Sequence, residues 1–206
     1  MNLTFNLSAR FRFLGLCLVV FVAGFGCALA RETYAQFAAH LAMQAQADQA
    51  LRPDLESELR RLTNLFRQSK GLPPLAEDGA ALYAARAHAM DMMQHHFMGH
   101  SASSGEDFGA RMQALNGGAM LTAAMGENAA RVSKPGTVDK EMAAQLFAQW
   151  VKSSPHRKNL LSSDYIKLAV GVVSLGGQLY ADQIFTGPNV KTNFTIGPPK
   201  VPETLY

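Results

Sequence analysis

The segment 166–185 restricts this chain more than any other. KLAVGVVSL and QLYADQIF flank Gly176-Gly177, the signature of a β-hairpin closed by a tight turn. Val170, Val172, Leu179, Ala181 and Phe185 fall at alternate positions and make one apolar face. Val173, Tyr180 and Ile184 make the opposite face apolar too. A sheet that is apolar on both sides has to be covered on both, so the rest of the chain must supply layers.

Helical periodicity supplies them. Residues 32–50 are rich in Ala and Gln, with Tyr34, Phe37 and Leu41 on one side. Pro53-Asp54 interrupts that run, and Leu55, Leu59, Leu62 and Phe66 then recur at helical spacing until Gly71, Pro73 and Pro74. Asn64 and Arg67 fall on the polar side of this second helix, where surface exposure is expected. Glu77 to His96 reads as a longer helix with Leu82, Ala85, Ala89, Met92, Met93 and His96 inward. Asp91 and His95, four apart on it, are expected to make a surface contact, since two candidate ligands do not make a metal site. Residues 107–115 suggest a short helix, and 117–128 a less regular segment ending in Gly126-Glu127-Asn128.

The most informative joint is WVKSSPHRKNLLSSDY, 150–165. Met142, Ala143, Leu146, Phe147 and Trp150 form an apolar stripe leading into it, behind the acidic first-turn residues Asp139 and Glu141. Pro155 stops that helix and can sit at the first position of a new one, with Ser154 as its N-cap. His156 then lies in a first helical turn, beside unpaired N–H groups and the positive dipole end, which favours a neutral ring able to accept a proton or a metal. Ser153 is expected to face inward near it. A histidine that merely caps or packs is the ordinary alternative.

Composition narrows the setting. Arg10 and Arg12 precede an uncharged stretch, Phe13 to Ala30, that ends Ala28-Leu29-Ala30, the layout of a secretory signal. Removing residues 1–30 takes away two arginines and no acids, so the formal balance falls from 19 − 16 = +3 to 17 − 16 = +1. A nearly neutral chain gives no electrostatic case for nucleic acid. Cys17 and Cys27 both lie in the leader, so the mature chain needs neither disulfides nor a cysteine nucleophile. Lipidation at Cys27 and an uncleaved anchor remain open, the only routes to a membrane; in each case the working part is secreted, periplasmic or otherwise extracytoplasmic. The expected organisation is a signal peptide at 1–30, a helical extension at 31–53, one domain at 54–187 and a Pro-rich tail at 188–206.

From residues alone the fold class is α+β. NLFRQSKGLPPLAEDGAALYAARAHAMDM, the Gly99-His100 pair, MGENAA at 125–130, WVKSSPHRKNLL at 150–161 and YADQIF at 180–185 together resemble bacterial CAP-domain proteins, relatives of cysteine-rich secretory proteins, antigen 5 and plant pathogenesis-related proteins. The resemblance runs from about Leu55 to Gly187. It implies an α-β-α sandwich around a three-stranded antiparallel sheet, with a cleft lined by histidines and acids. Matched motif by motif, these are His100, His156 and Glu127, with Ser153 where eukaryotic members carry a second acid. Gln183 would reach the cleft from the last strand and Asn128 would fix its loop. Met98 and Gly99 stand where an aromatic and a serine usually precede the first histidine.

Such a cleft implies a binding module that holds Zn²⁺ or another divalent ion weakly through His100, His156 and Glu127, and takes a lipid, a sterol or another small ligand. Two alternatives stay open. One is a metal-dependent hydrolase, for which Ser153 or Ser154 beside His156, oriented by Glu127, is the only side-chain triad available. The other is a cell-envelope interaction protein using 31–53 and the tail to reach a protein partner.

Overall fold

The structure, a computed structural model, describes residues 32–119, 124–136 and 138–188. The leader, its cysteines and the Pro-rich tail lie outside them. Helix α1 (Tyr34–Ala47) opens with a capping box between Thr33 and Gln36, and α2 (Pro53–Ser69) starts on its own proline. A two-residue strand β1 (Ala76–Glu77) leads into α3 (Gly79–Gln94), capped by Asp78, and Asp107 caps α4 (Phe108–Leu115). Strand β2 (Met125–Ser133) follows, then α5 (Lys140–Lys152) with Asp139 as cap, α6 (Ser154–Leu161), β3 (Lys167–Leu175) and β4 (Gln178–Thr186).

The hairpin forms as the alternation demands, in register from Lys167↔Thr186 to Leu175↔Gln178. Gly176 and Gly177 take φ of +58° and +77°, a left-handed pair that side chains resist. Sheet order is β1-β3-β4-β2. The antiparallel part has the three strands the resemblance implies, and β1 adds a fourth, parallel to β3 through Ala76↔Lys167 and Glu77↔Leu168. With Leu51 bridging to Val173, β1 covers the outer edge of β3, which would otherwise offer open pairing groups.

Both faces of the sheet are covered. Leu168, Val170, Val172, Leu179, Ala181 and Phe185 pack with Leu55 and Leu59 of α2 and with Met142, Leu146 and the wholly buried Trp150 of α5. Ala169, Val173, Tyr180 and Ile184 pack against α1, α3 and α4. Gly171 lets α3 lie close, because a Cβ there would overlap the backbone of Ala85 and Arg86.

Several expectations need correcting. Ser153, not Ser154, is the cap residue of α6, with Pro155 one position further in; Ser153 makes no side-chain cap bond. The segment before Glu127 becomes regular at Met125, where β2 pairs with β4 along its whole length. His96 is exposed at φ +56°, past the end of α3 and not on its apolar face. Arg67 is fully buried: its guanidinium donates to the carbonyls of Pro73, Leu160 and Ser162, tying α2 to the end of α6. Asn64 exchanges hydrogen bonds with Leu75 in both directions. Helical periodicity assigned both to a polar face; it cannot register carbonyls arriving from elsewhere in the chain.

Candidate binding cleft

Edge strand β2 organises the site, because it lies between the two helical layers and, among the described residues, pairs on one side only, with β4. Alternation sends Glu127 to the α3–α4 side and Asn128 to the α5–α6 side, as their partners Ile184 and Gln183 show. Gly126 precedes them for a steric reason: a Cβ there would overlap the Tyr165 hydroxyl and crowd Asn159 Oδ1 at 3.1 Å. Tyr165 is stacked on Phe185 at 5.3 Å.

His100 lies in the loop between α3 and α4, His156 in the first turn of α6. The chain brings these imidazoles, from opposite layers, to 6.2 Å between ring centroids, nearly edge to face. His100 Nδ1 meets Glu127 Oε2 at 2.8 Å, with the His100 side chain 53% exposed and that of Glu127 2%. Its Nε2 is thereby turned away from the carboxylate. The Glu127 hydrogen bond raises the His100 pKa, while burial works against it. Burial lowers the His156 pKa, helped by the charge of His100. One ring is thus inclined to hold a proton and its neighbour to refuse one.

Behind Glu127 stands Arg111, which no motif singled out. Its side chain is fully buried, and Nη2 donates to Glu127 Oε1 and, at 3.1 Å, to the His100 carbonyl. Burial pushes the Glu127 carboxyl up, but the His100 hydrogen bond and the Arg111 charge outweigh it and hold it below its ordinary value. Asp182, on the same sheet face, is entirely buried; burial, aided by the charge of Glu127, pushes its carboxyl well up. His88 is buried as well, and its Nε2 meets the Gly99 carbonyl at 2.9 Å, fixing the turn just before His100. A polar residue inside an apolar helical run was the signal for His88, and a charged one inside an apolar strand for Asp182.

The remaining expected residues play other parts. Asn128 Nδ2 donates to the His156 carbonyl at 3.2 Å and to Gln183 Oε1 at 3.3 Å, while Asn159 bonds both Asn128 Oδ1 and the Glu127 carbonyl at 3.0 Å. Asn128 therefore fastens α6, and His156 with it, to β2. Gln183 is fully buried and donates to Thr63 at 2.8 Å, so it supports Asn128 from below the cleft. Ser153 is half-buried, and among the described residues no serine hydroxyl is hydrogen-bonded to His156. Asp91 and His95 do meet, at 2.8 Å, but the carboxylate is wholly buried and also accepts from Ser103 N and Oγ, so it anchors the 95–107 loop and is no surface contact.

As a metal centre the donor set is thin. Both Glu127 oxygens are engaged by Arg111 and His100, which makes the carboxylate an orienting group. Among the described residues no three His, Cys, Asp or Glu side chains converge to hold an ion. The three protein ligands of a catalytic zinc site are therefore not assembled, and what the geometry offers an ion is the imidazole pair.

Known proteins share this arrangement of chain. A model of the cysteine-rich secretory protein family, CAP, matches residues 60–188, more than half of the sequence. The uncharacterized protein YkwD of Bacillus subtilis is 30% identical over 121 residues, covering 59% of this chain and 43% of that protein. The uncharacterized membrane protein YlbC of the same organism is 32% identical over 119 residues, 57% of this chain and 31% of its own length. The chain thus spans less than half the length of either relative. Among solved structures, an extracellular protein with an SCP domain from Bacillus anthracis superposes with a TM-score of 0.51 at 29% identity, covering 66% of this chain and 44% of that one. An outer surface protein of Borrelia burgdorferi reaches a TM-score of 0.55 at 15% identity over 66% of this chain and 93% of its own, a likeness of fold alone.

Proposed function

The chain belongs to the CAP, or cysteine-rich secretory protein, family, and from that premise we propose that it is an extracytoplasmic binding module whose His100–His156 cleft takes a small ligand, with a divalent ion held weakly by the two imidazoles. The leader-like residues 1–30 and the extracellular relative from Bacillus anthracis support the location. The observation that carries the reading is the imidazole pair itself, 6.2 Å apart, with the His100 ring held by a buried carboxylate and the His156 pKa lowered by burial and by the charge of His100. A structural polar network has no need to keep two histidines at the surface. Lipids and sterols are the ligand class to try first. The serine form of the hydrolase alternative lacks its first contact: no serine hydroxyl bonds His156 among the described residues. A metal bound here would supply Lewis acidity; the chain's own part is to present two imidazoles and orient one of them through Glu127.

The test is a titration of purified protein with Zn²⁺ by calorimetry and with fluorescent sterol and fatty-acid probes, on wild type and His156→Ala. Saturable probe binding, with ion affinity in the micromolar range or weaker and lost in His156→Ala, is the expected result. Folded wild type that takes up neither ion nor probe would overturn the proposal.

A further inference from the structure

We infer that the ion this cleft suits best is copper(I), held by His100, His156 and the thioether of Met98. The inference rests on the binding-module reading for the imidazole pair; the sulfur ligand and the choice of ion go beyond it.

Met98 is 53% exposed and belongs to neither core cluster. Its neighbours explain why. Phe97 sets its ring against that of His88, 6.1 Å between centroids, and the Gly99 carbonyl meets His88 Nε2 at 2.9 Å. With the residues on either side turned to His88, the Met98 side chain is left outside. Covalent geometry keeps its α-carbon within about 7 Å of that of His100, a gap that an unbranched thioether with three rotatable bonds spans. His100 itself arrives already aimed: Nδ1 lies on Glu127, so Nε2 is the nitrogen left for an ion.

The spacing of the rings selects among ions. Two imidazoles bound to one ion through nitrogens at about 2.0 Å have ring centres about 5 Å apart at a tetrahedral angle, and about 6 Å apart as the angle opens towards a line. The observed 6.2 Å matches the open angle. A closed zinc site takes four donors in a tetrahedron, and Glu127, committed to Arg111 and His100, adds none. Copper(I) is soft, is satisfied by two or three donors at wide angles, and is favoured by thioether sulfur. A donor set too thin for zinc is thus sufficient for copper(I).

The test titrates the full chain with Cu(I), kept reduced by ascorbate under anaerobic conditions, against a chromophoric Cu(I) chelator. It is run in a Cys17→Ser, Cys27→Ser background, because thiolates take Cu(I) by themselves. The Met98 methyl group is followed by ¹³C NMR with Ag(I) as a redox-silent substitute. Met98→Leu keeps the bulk and removes the sulfur at an exposed position; Met43→Leu, at another exposed methionine, is the control. One Cu(I) per chain is expected, bound about 10–100-fold more weakly in Met98→Leu, the scale of losing a group that supports a metal. Affinity should be unchanged in Met43→Leu and lost in His156→Ala, and Met98→Leu should bind Zn²⁺ as wild type does. Full affinity in Met98→Leu, or a Met98 methyl that does not shift, would overturn the inference. Wild type that takes Zn²⁺ or the lipid probes but no Cu(I) would overturn it and leave the binding module standing. Cu(I) uptake that needs Met98, with neither Zn²⁺ nor probe bound, would uphold it and sink the weak divalent site.

Discussion

Glu127 has one oxygen on Arg111 and the other on His100, and its carbonyl on Asn159, so it has almost no freedom left. Arg111→Met would strand that carboxylate in a buried setting. Loss of one partner of such a pair costs about 3–5 kcal/mol, and urea unfolding should show a drop of that order. The histidines make a second prediction. His100 is raised above its ordinary 6.5 by Glu127, so the stability from that contact is complete below 6.5 and disappears as pH rises through the raised value. His156 is lowered by burial and by His100, so its share is complete above 6.5 and is lost as pH falls through the lowered value. NMR titration should therefore find His100 titrating above His156. In His100→Ala the His156 value should climb, because a neighbouring positive charge has gone; a fall would contradict the account.

At the scale of elements, the decisive contacts are those between a helix and the strand it lies on. Gly171 allows the α3 backbone to touch β3, and Gly171→Ala would force the two apart. Overpacking of a close-packed interior costs roughly 1–3 kcal/mol; with backbone on the receiving side, the upper end of that range is expected in thermal or urea unfolding. Helix α5 depends on its start: Asp139 Oδ1 accepts from Glu141 N at 3.0 Å and from Met142 N at 3.1 Å. Asp139→Ala should cost about 1 kcal/mol, visible as a lower urea midpoint with an unchanged slope, since the same surface is exposed on unfolding. Helix α6 is held differently, by Asn128 at its first turn and Arg67 at its last. The position of His156 therefore depends on two residues that never enter the cleft.

The described residues join two helical layers through one sheet, and the two imidazoles meet beside edge strand β2. Helix α1 is bound into one of those layers. Truncation to residues 54–188 would bare the apolar faces that Tyr34, Ala38, Leu41 and Ala45 cover, and should lower the melting temperature and produce binding of a hydrophobic dye; a truncated protein as stable as the full chain would show that α1 adds nothing to the core. What the sequence determined by itself was whatever repeats at short range: the two-sided apolar hairpin, the stripe ending in Trp150, the break at Pro155, and, through motif resemblance, the pairing of His100, Glu127 and His156. What tertiary structure decided was whatever depends on arrival from afar. Arg67 reads as a surface residue until carbonyls of α6 reach it, and Gln183 looks cleft-lining until Thr63 and Asn128 enclose it. Arg111, one charge on a short helix, shows its role only when β2 lays Glu127 against it. Periodicity records which way a side chain points; it cannot record what lies there, because a buried charge takes its meaning from partners distant in sequence.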